Sequence, residues 1–342
     1  LLLFLVGYEI DLQLLWGRLL KVTGLAYLVS CAIGLALALL LWFAGIIISP
    51  LLIGTALVAT SLGVLLPVLR DAEEVNTDFG RLVVVAGSLA EVVPIVLLSI
   101  FFSVSAHTLG QRVGFITAFA LLIGVFGLAL LVVRTGRMTA ILERFEDTSS
   151  QMPVRLALTM TIFFGVLAIR FGISGILGTF MAGLIFRALD NRDEAQLHRF
   201  RLKLDVIGYG FLVPVFFITT GVTYNIDTLF TEPALVRVPL FMAALALVRG
   251  LPAIMYRLKA FRLSLDTDQV VAASLFQATS LTFVVVATSL GLELHNLQPV
   301  NASALLAAAI LSVIIFPQVG LLVLGRRAEA NRLRQGSPGR SG

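Results

Sequence analysis

Long apolar runs separated by short polar stretches organise this chain from end to end. Most runs approach the roughly 20 residues that a helix needs to cross the hydrocarbon core of a bilayer. They fall at 22–44, 47–69, 82–103, 113–133, 154–170, 173–188, 206–224, 237–256, 269–290 and 302–324, with a partial run at 1–8. The pattern predicts an all-α, polytopic membrane protein with about 11 visible transmembrane helices. The opening run, Leu1 to Gly7, reads as the second half of a span, so at least one span is expected upstream. After Leu324 the sequence turns to Arg, Ser, Gly and Pro. The expected organisation is therefore a membrane domain over 1–325 and a disordered tail over 326–342.

Composition agrees with the pattern. The chain is 58% hydrophobic and 13% charged, with a mean hydropathy of +1.01. A soluble domain carries about 25% charged residues. The isoelectric point near 9.8 could suggest nucleic acid as a partner, but the placement of the charges argues otherwise. Of 25 Lys and Arg residues, the predicted spans put 21 on one side of the membrane. Arg112, Arg170 and Arg237 fall on the other side, and Arg249 lies within a span. Such an excess marks the cytoplasmic face. It makes the C-terminus cytoplasmic in a multi-pass protein of the cell (inner) membrane, and it leaves no nucleic-acid partner to invoke. The single cysteine, Cys31, lies inside a predicted span and reads as a small buried apolar residue.

A short internal echo suggests more than a bundle of spans. Ala59-Thr60-Ser61-Leu62 recurs as Ala278-Thr279-Ser280-Leu281, on spans predicted to run in opposite directions. Inverted repeats built this way place discontinuous helices at the membrane midplane. The same four letters appear again at Ala287 to Leu290, so the string alone is cheap. Prolines strengthen the first pair. A proline removes an amide donor and clashes with the carbonyl four residues before it. Pro67 should free the carbonyl of Gly63, just after Thr60 and Ser61. Pro94 should free that of Ala90, and Pro252 that of Val248. Unpaired carbonyls at membrane depth are tolerated where they line a cavity or meet a partner.

Two of those prolines stand beside buried charge. Glu91 lies mid-span, where a lone carboxylate costs about 2.5–3.5 kcal/mol even on lenient insertion scales. Acids at that depth usually serve an ion or proton path. Ser88 lies one turn earlier on the same face, and Gly87 permits close approach. Arg249 lies about 8 residues inside the cytoplasmic end of its span, roughly 12 Å along a helix, beyond comfortable snorkelling. It is the candidate counter-charge for Glu91. Thr60, Ser61, Gln277, Thr279 and Ser280 add neutral oxygens, which suit a small hard cation. His107, His198 and His295 all fall in predicted loops, and the charge-dense stretch 187–205 reads as a solvated cytoplasmic loop. No enzyme constellation is present and no cofactor is expected.

Several of these segments, in order, resemble the bacterial monovalent cation:proton antiporters of the sodium/hydrogen exchanger superfamily, in the branch of potassium-efflux and sodium/proton antiporters. Leu3 to Leu12 resembles the early FLxGLEIDL element, and Ile173 to Leu184 the LSxxLGAFLAGL span. Val213 to Val222 resembles the PxFFxxxG span. Ala59-Thr60-Ser61 and Gln277 to Ser280 resemble the family's two unwound crossing helices. The resemblance implies an ion site on the span after the first crossing, where Asp-Asp, Asn-Asp or Gln-Asp is common. Here the pair is Ala90-Glu91: the acid is longer by one methylene, and its neighbour has no side-chain ligand. Arg249 matches the basic residue that the family places before its second crossing.

What the resemblance implies is an elevator-like exchanger in which Glu91 binds either one Na⁺ or K⁺, or one proton, across the lipid bilayer. Family members are often homodimers. With one titrating acid, the site carries the same charge in both loaded states, so exchange should be electroneutral. The alternatives are a cation- or proton-coupled symporter or potassium-efflux path, a degenerate antiporter acting as a sensor, and a membrane enzyme on a lipid-linked substrate.

Overall fold

The computed structural model describes residues 1–9, 18–102, 151–171, 175–189, 194–223, 231–257 and 265–335, together with positions 110, 111, 114, 117, 121 and 124. The expected span at 113–133 and residues 336–342 thus lie wholly or mostly outside the described residues. Among the described residues the chain is helical throughout and holds no strand. Seven helical segments are long and apolar enough to cross a membrane, and Gly175–Arg187 is a shorter apolar helix. The chain is a polytopic all-α membrane protein.

Contacts divide it into two compact units. The first comprises Leu1–Gln13 and Ile95–Thr223, the second Leu14–Pro94 and Tyr224–Gly342. In the first unit, α1 (Leu2–Glu9) packs on the helix Gly175–Leu189. Gly183 makes this possible: a Cβ there would meet the carbonyl oxygen of Phe4 at 2.1 Å, so only hydrogen fits. Phe4, Tyr8, Phe186 and Phe200 form an aromatic cluster at the same contact. The stretch 187–205, expected as a loop, begins in the end of Gly175–Leu189 and from Glu194 onward lies in the helix Glu194–Ile207. That helix holds no Gly or Pro, and Leu and Arg, both good helix formers, supply five of its 14 residues. The following span opens on a π-helical turn, Gly208–Leu212, before Val213–Thr223 continues as α-helix.

The second unit holds α2 (Arg18–Phe43), α3 (Pro50–Leu57), α4 (Leu62–Asp71) and most of α5 (Asp78–Phe101). Thus the apolar run at 47–69 is not one helix but two, interrupted at Val58 to Ser61. The run at 269–290 is likewise split, into Thr267–Ala278 and Thr282–Glu293. The two broken helices are built alike. Each starts on a side-chain cap, Ser49 in one and an Asp266–Gln269 capping box in the other. Each ends on a left-handed residue, Glu73 (φ 57°) and His295 (φ 56°). Beyond these residues, Glu74 N–H donates to Leu69 O and Asn296 N–H to Gly291 O. Those are the closing bonds of a Schellman end, here made without glycine.

Between the breaks in sequence lies a distorted helix. Glu232–Leu245 is α-helical, Ala246–Gly250 forms a π turn, and Leu251–Arg257 tightens to a 3₁₀-helix. Pro252 sits at the junction, where its missing N–H interrupts the regular ladder. The last helix runs Pro299–Gln335, beyond the compositional boundary at 325. One buried core, including Val22, Leu69, Phe79, Ala253, Tyr256 and Phe276, holds these elements together.

Candidate functional site

The breaks in the two discontinuous helices meet, and Thr60 and Ser61 join them. Ser61 N–H donates to Thr279 O at 2.9 Å. Ser61 Oγ accepts from the N–H groups of Leu281 (2.8 Å), the last residue of the second break, and Thr282 (3.0 Å), the first of the helix that follows. Thr60 Oγ1 donates to the carbonyl of Gln277, the penultimate residue of the helix before that break. Broken helix ends leave amides and carbonyls that must find partners. Here each break supplies partners for the other.

Thr60 N–H completes the arrangement by donating to Ala90 O at 3.1 Å. This is the carbonyl that Pro94, four residues on, cannot engage. The expectation that proline frees a carbonyl beside Glu91 is therefore met by a specific partner, the first break itself. Glu91 is buried, 4% exposed, in α5. Ser88 is also buried, and its hydroxyl donates back to Val84 O at 2.9 Å. Gly87 lies against Leu62, the first residue of α4; a Cβ there would stand 3.1 Å from Leu62 Cδ1. The three prolines differ in placement. Pro94 and Pro252 are buried, whereas Pro67, inside α4, is exposed.

Arg249 is carried by the π turn and is almost fully buried, 1% exposed. Its Nε donates to Thr60 Oγ1 at 2.9 Å and its Nη1 to Ser30 Oγ at 3.2 Å. The guanidinium carbon lies 5.1 Å from the centre of the Tyr27 ring, a cation–π distance. Among the described residues, Nη2 has no hydrogen-bond partner. The described route from Arg249 toward Glu91 runs through one residue: Thr60 binds the guanidinium with its side chain and the Ala90 carbonyl with its backbone. An arginine stays protonated at any working pH, so it supplies a fixed positive charge at the first break.

The second break uses its side chains differently. Thr279 Oγ1 donates to Leu275 O in its own helix, and Ser280 Oγ is buried without a partner among the described residues. Ser312, from the last helix, holds the Ser280 peptide: its Oγ accepts from Ser280 N–H at 3.2 Å and lies 3.3 Å from Ser280 O. The Gln277 carboxamide accepts a hydrogen bond from Tyr256 OH at 3.1 Å. Sequence reading missed Ser30, Tyr27, Tyr256 and Ser312. The first two are separated by three residues on α2, so they share a face that a single buried serine in an apolar run could have flagged. Ser312 and Tyr256 carry no comparable signal.

Residues 1–322 match the family described as sodium/hydrogen exchanger, transmembrane. The chain belongs to the sodium/hydrogen exchanger family. Its relatives include YjbQ of Bacillus subtilis strain 168, 28% identical over 279 residues, covering 80% of this chain and 42% of that protein. Another is Probable Na(+)/H(+) antiporter 3 of Methanocaldococcus jannaschii, 26% identical over 326 residues, covering 93% of this chain and 80% of that protein. A third is the glutathione-regulated potassium-efflux system protein KefC of Escherichia fergusonii, 28% identical over 240 residues, covering 68% and 37%. The chain therefore spans less than half the length of two of these three relatives.

Proposed function

We propose that this chain exchanges a monovalent cation, Na⁺ or K⁺, for a proton, with Glu91 as the group that binds either. The observation that carries the reading is the buried carboxylate of Glu91, one residue from a carbonyl bound by the first helix break. A buried carboxylate needs its charge offset, and either a proton or a cation can do that. The two cannot bind together, and that exclusion is what couples their movements. Names borne by relatives, a Na(+)/H(+) antiporter and a potassium-efflux system protein, support the same substrate class.

The mechanism follows from charge. Arg249 contributes a constant positive charge, while Glu91 is neutralised alternately by H⁺ and by the cation. Both loaded states then carry the same net charge, so one-for-one exchange is electroneutral. A net transported charge would instead couple to voltage at about 2.3 kcal/mol per 100 mV. Every candidate site residue falls in the second unit, and the cycle we propose is of the elevator type. We place the protein in the inner membrane with a cytoplasmic C-terminus, and a homodimer as its assembly.

The test is dissipation of a pH gradient in proteoliposomes on adding Na⁺, K⁺ or Li⁺. Wild type should respond to at least one of the three, and Glu91→Gln should abolish the response. Exchange that survives Glu91→Gln would remove Glu91 from the mechanism. A current that depends on membrane potential would refute electroneutrality. Silence with all three cations would favour the sensor reading.

A further inference from the structure

We infer that Arg237 and Asn301 are positioning residues for Arg249: they pin its helix upstream and so set the register in which Arg249 meets the first break. The inference rests on the exchange reading above for what that register serves, and it gives a role to two residues that reading does not use. Arg237 is half-buried in the α-helical part of the distorted helix, Glu232–Leu245. Its Nη1 donates to Asn301 Oδ1 at 2.9 Å. Asn301 is fully buried near the start of the last helix, Pro299–Gln335. Its Nδ2 donates to Ile46 O at 2.7 Å and to Gln298 Oε1 at 3.2 Å. A carboxamide has one donating end and one accepting end. With Nδ2 held by two oxygens, Oδ1 is the end that Arg237 meets.

The backbone of the helix that carries Arg249 does not fix its own register. Between 232 and 257 its hydrogen bonding passes from α to π to 3₁₀, and Pro239 removes one amide from the α part. A slip of one residue turns a helical side chain by about 100° and moves it about 1.5 Å along the axis. Such a slip would take Arg249 Nε from Thr60 Oγ1, now at 2.9 Å, and Nη1 from Ser30 Oγ, now at 3.2 Å. Side chains therefore have to mark the register. Arg237 stands 12 residues before Arg249, about 18 Å along a helix. Each arginine is tied to a neutral oxygen on another element, Asn301 on the last helix and Ser30 on α2. Two fixed points on one irregular helix leave it a single register.

Arg237→Leu removes the upstream pin and keeps an apolar side chain in its place. Exchange in proteoliposomes should then fall by about tenfold, the ratio that one hydrogen bond to a charged group carries. Arg237→Lys should restore most of it, because Asn301 takes a single N–H from this side chain. Thermal unfolding of the full chain in detergent gives a readout that a merely local tie between two helices would not move. Thr60→Val strands the Arg249 donor only while Arg249 is held at Thr60. Once Arg237→Leu has freed the register, the fall in midpoint caused by Thr60→Val should shrink to less than about half. Arg237 and Thr60 share no hydrogen-bond partner, and the effects of such residues ordinarily add.

A shrunken Thr60→Val effect in Arg237→Leu, with exchange lost in Arg237→Leu and recovered in Arg237→Lys, supports the inference. Additive losses of stability overturn it, as does full exchange in Arg237→Leu. Should Arg237→Leu fail to fold, Asn301→Asp tests the same link. Its carboxylate still accepts from Arg237 although it cannot donate to Ile46 O, so the Thr60→Val effect must stay whole; a shrunken effect there overturns the inference. Failure of the exchange reading shows separately, as transport that continues in Glu91→Gln, whereas the stability comparison needs no transport.

Discussion

The two helix breaks carry the same four letters, Ala-Thr-Ser-Leu, yet they are not used alike. At the first, both side chains reach outward: Thr60 to Gln277 and Arg249, Ser61 to the amides of Leu281 and Thr282. At the second, Thr279 folds back on its own helix and Ser280 Oγ is left without a described partner. The first break therefore bonds across the crossing with side chains, and the second with its backbone. An internal repeat can preserve the backbone geometry of two elements while their side chains take different duties. Ser312, external to both repeats, supplies for the Ser280 peptide what the second break does not supply for itself.

This asymmetry predicts a ranking, and each member can break it. Ser61→Ala should do the most damage, because it strands two amides at once. Leaving a buried donor unsatisfied costs about 1–3 kcal/mol, so a loss of roughly 2–4 kcal/mol is expected. It would be read as a lower midpoint of thermal unfolding in detergent. Thr60→Val comes next, at about 1.5–3 kcal/mol, since it keeps the shape but strands a charged donor on Arg249. Thr60→Ser should restore most of that loss, because its hydroxyl can take the same two partners. Ser312→Ala should cost about 1–2 kcal/mol by releasing the Ser280 amide. Ser280→Ala should cost nothing and can stabilise slightly, because it removes a buried hydroxyl that has no described partner. If Ser280→Ala proved as harmful as Ser61→Ala, the two breaks would be functional equivalents and the asymmetry would be an error.

Much of this architecture is legible in the sequence. The apolar runs located the membrane segments because a bilayer imposes a length. The repeated tetrapeptide located both breaks, since Thr and Ser can bond backbone groups that an interrupted helix leaves open. Pro94 pointed to the Ala90 carbonyl for a reason that is local and chemical. What sequence could not supply was the identity of partners. The Thr60–Gln277 contact joins residues 217 positions apart, and the Arg249–Ser30 contact joins residues 219 apart. Nothing in either neighbourhood names the other. The helix 194–207 was misread for a different reason: its charge suggested solvent, and solvent suggested a loop, although charged residues form helices well.

One consequence of Pro94 lies in what it withholds. A helix normally saturates its own carbonyls, and a saturated carbonyl has little need of a neighbour. By lacking a hydrogen, Pro94 leaves the Ala90 oxygen available, and Thr60 N–H takes it. Any other residue at 94 would bring a rival amide to the same oxygen. The first break could then detach from the helix of Glu91 without leaving that carbonyl bare, and a contact that is obligatory would become optional. The proline is a vacancy with an assigned tenant, and the unwound peptide is tied to the carboxylate's helix through a backbone hydrogen bond.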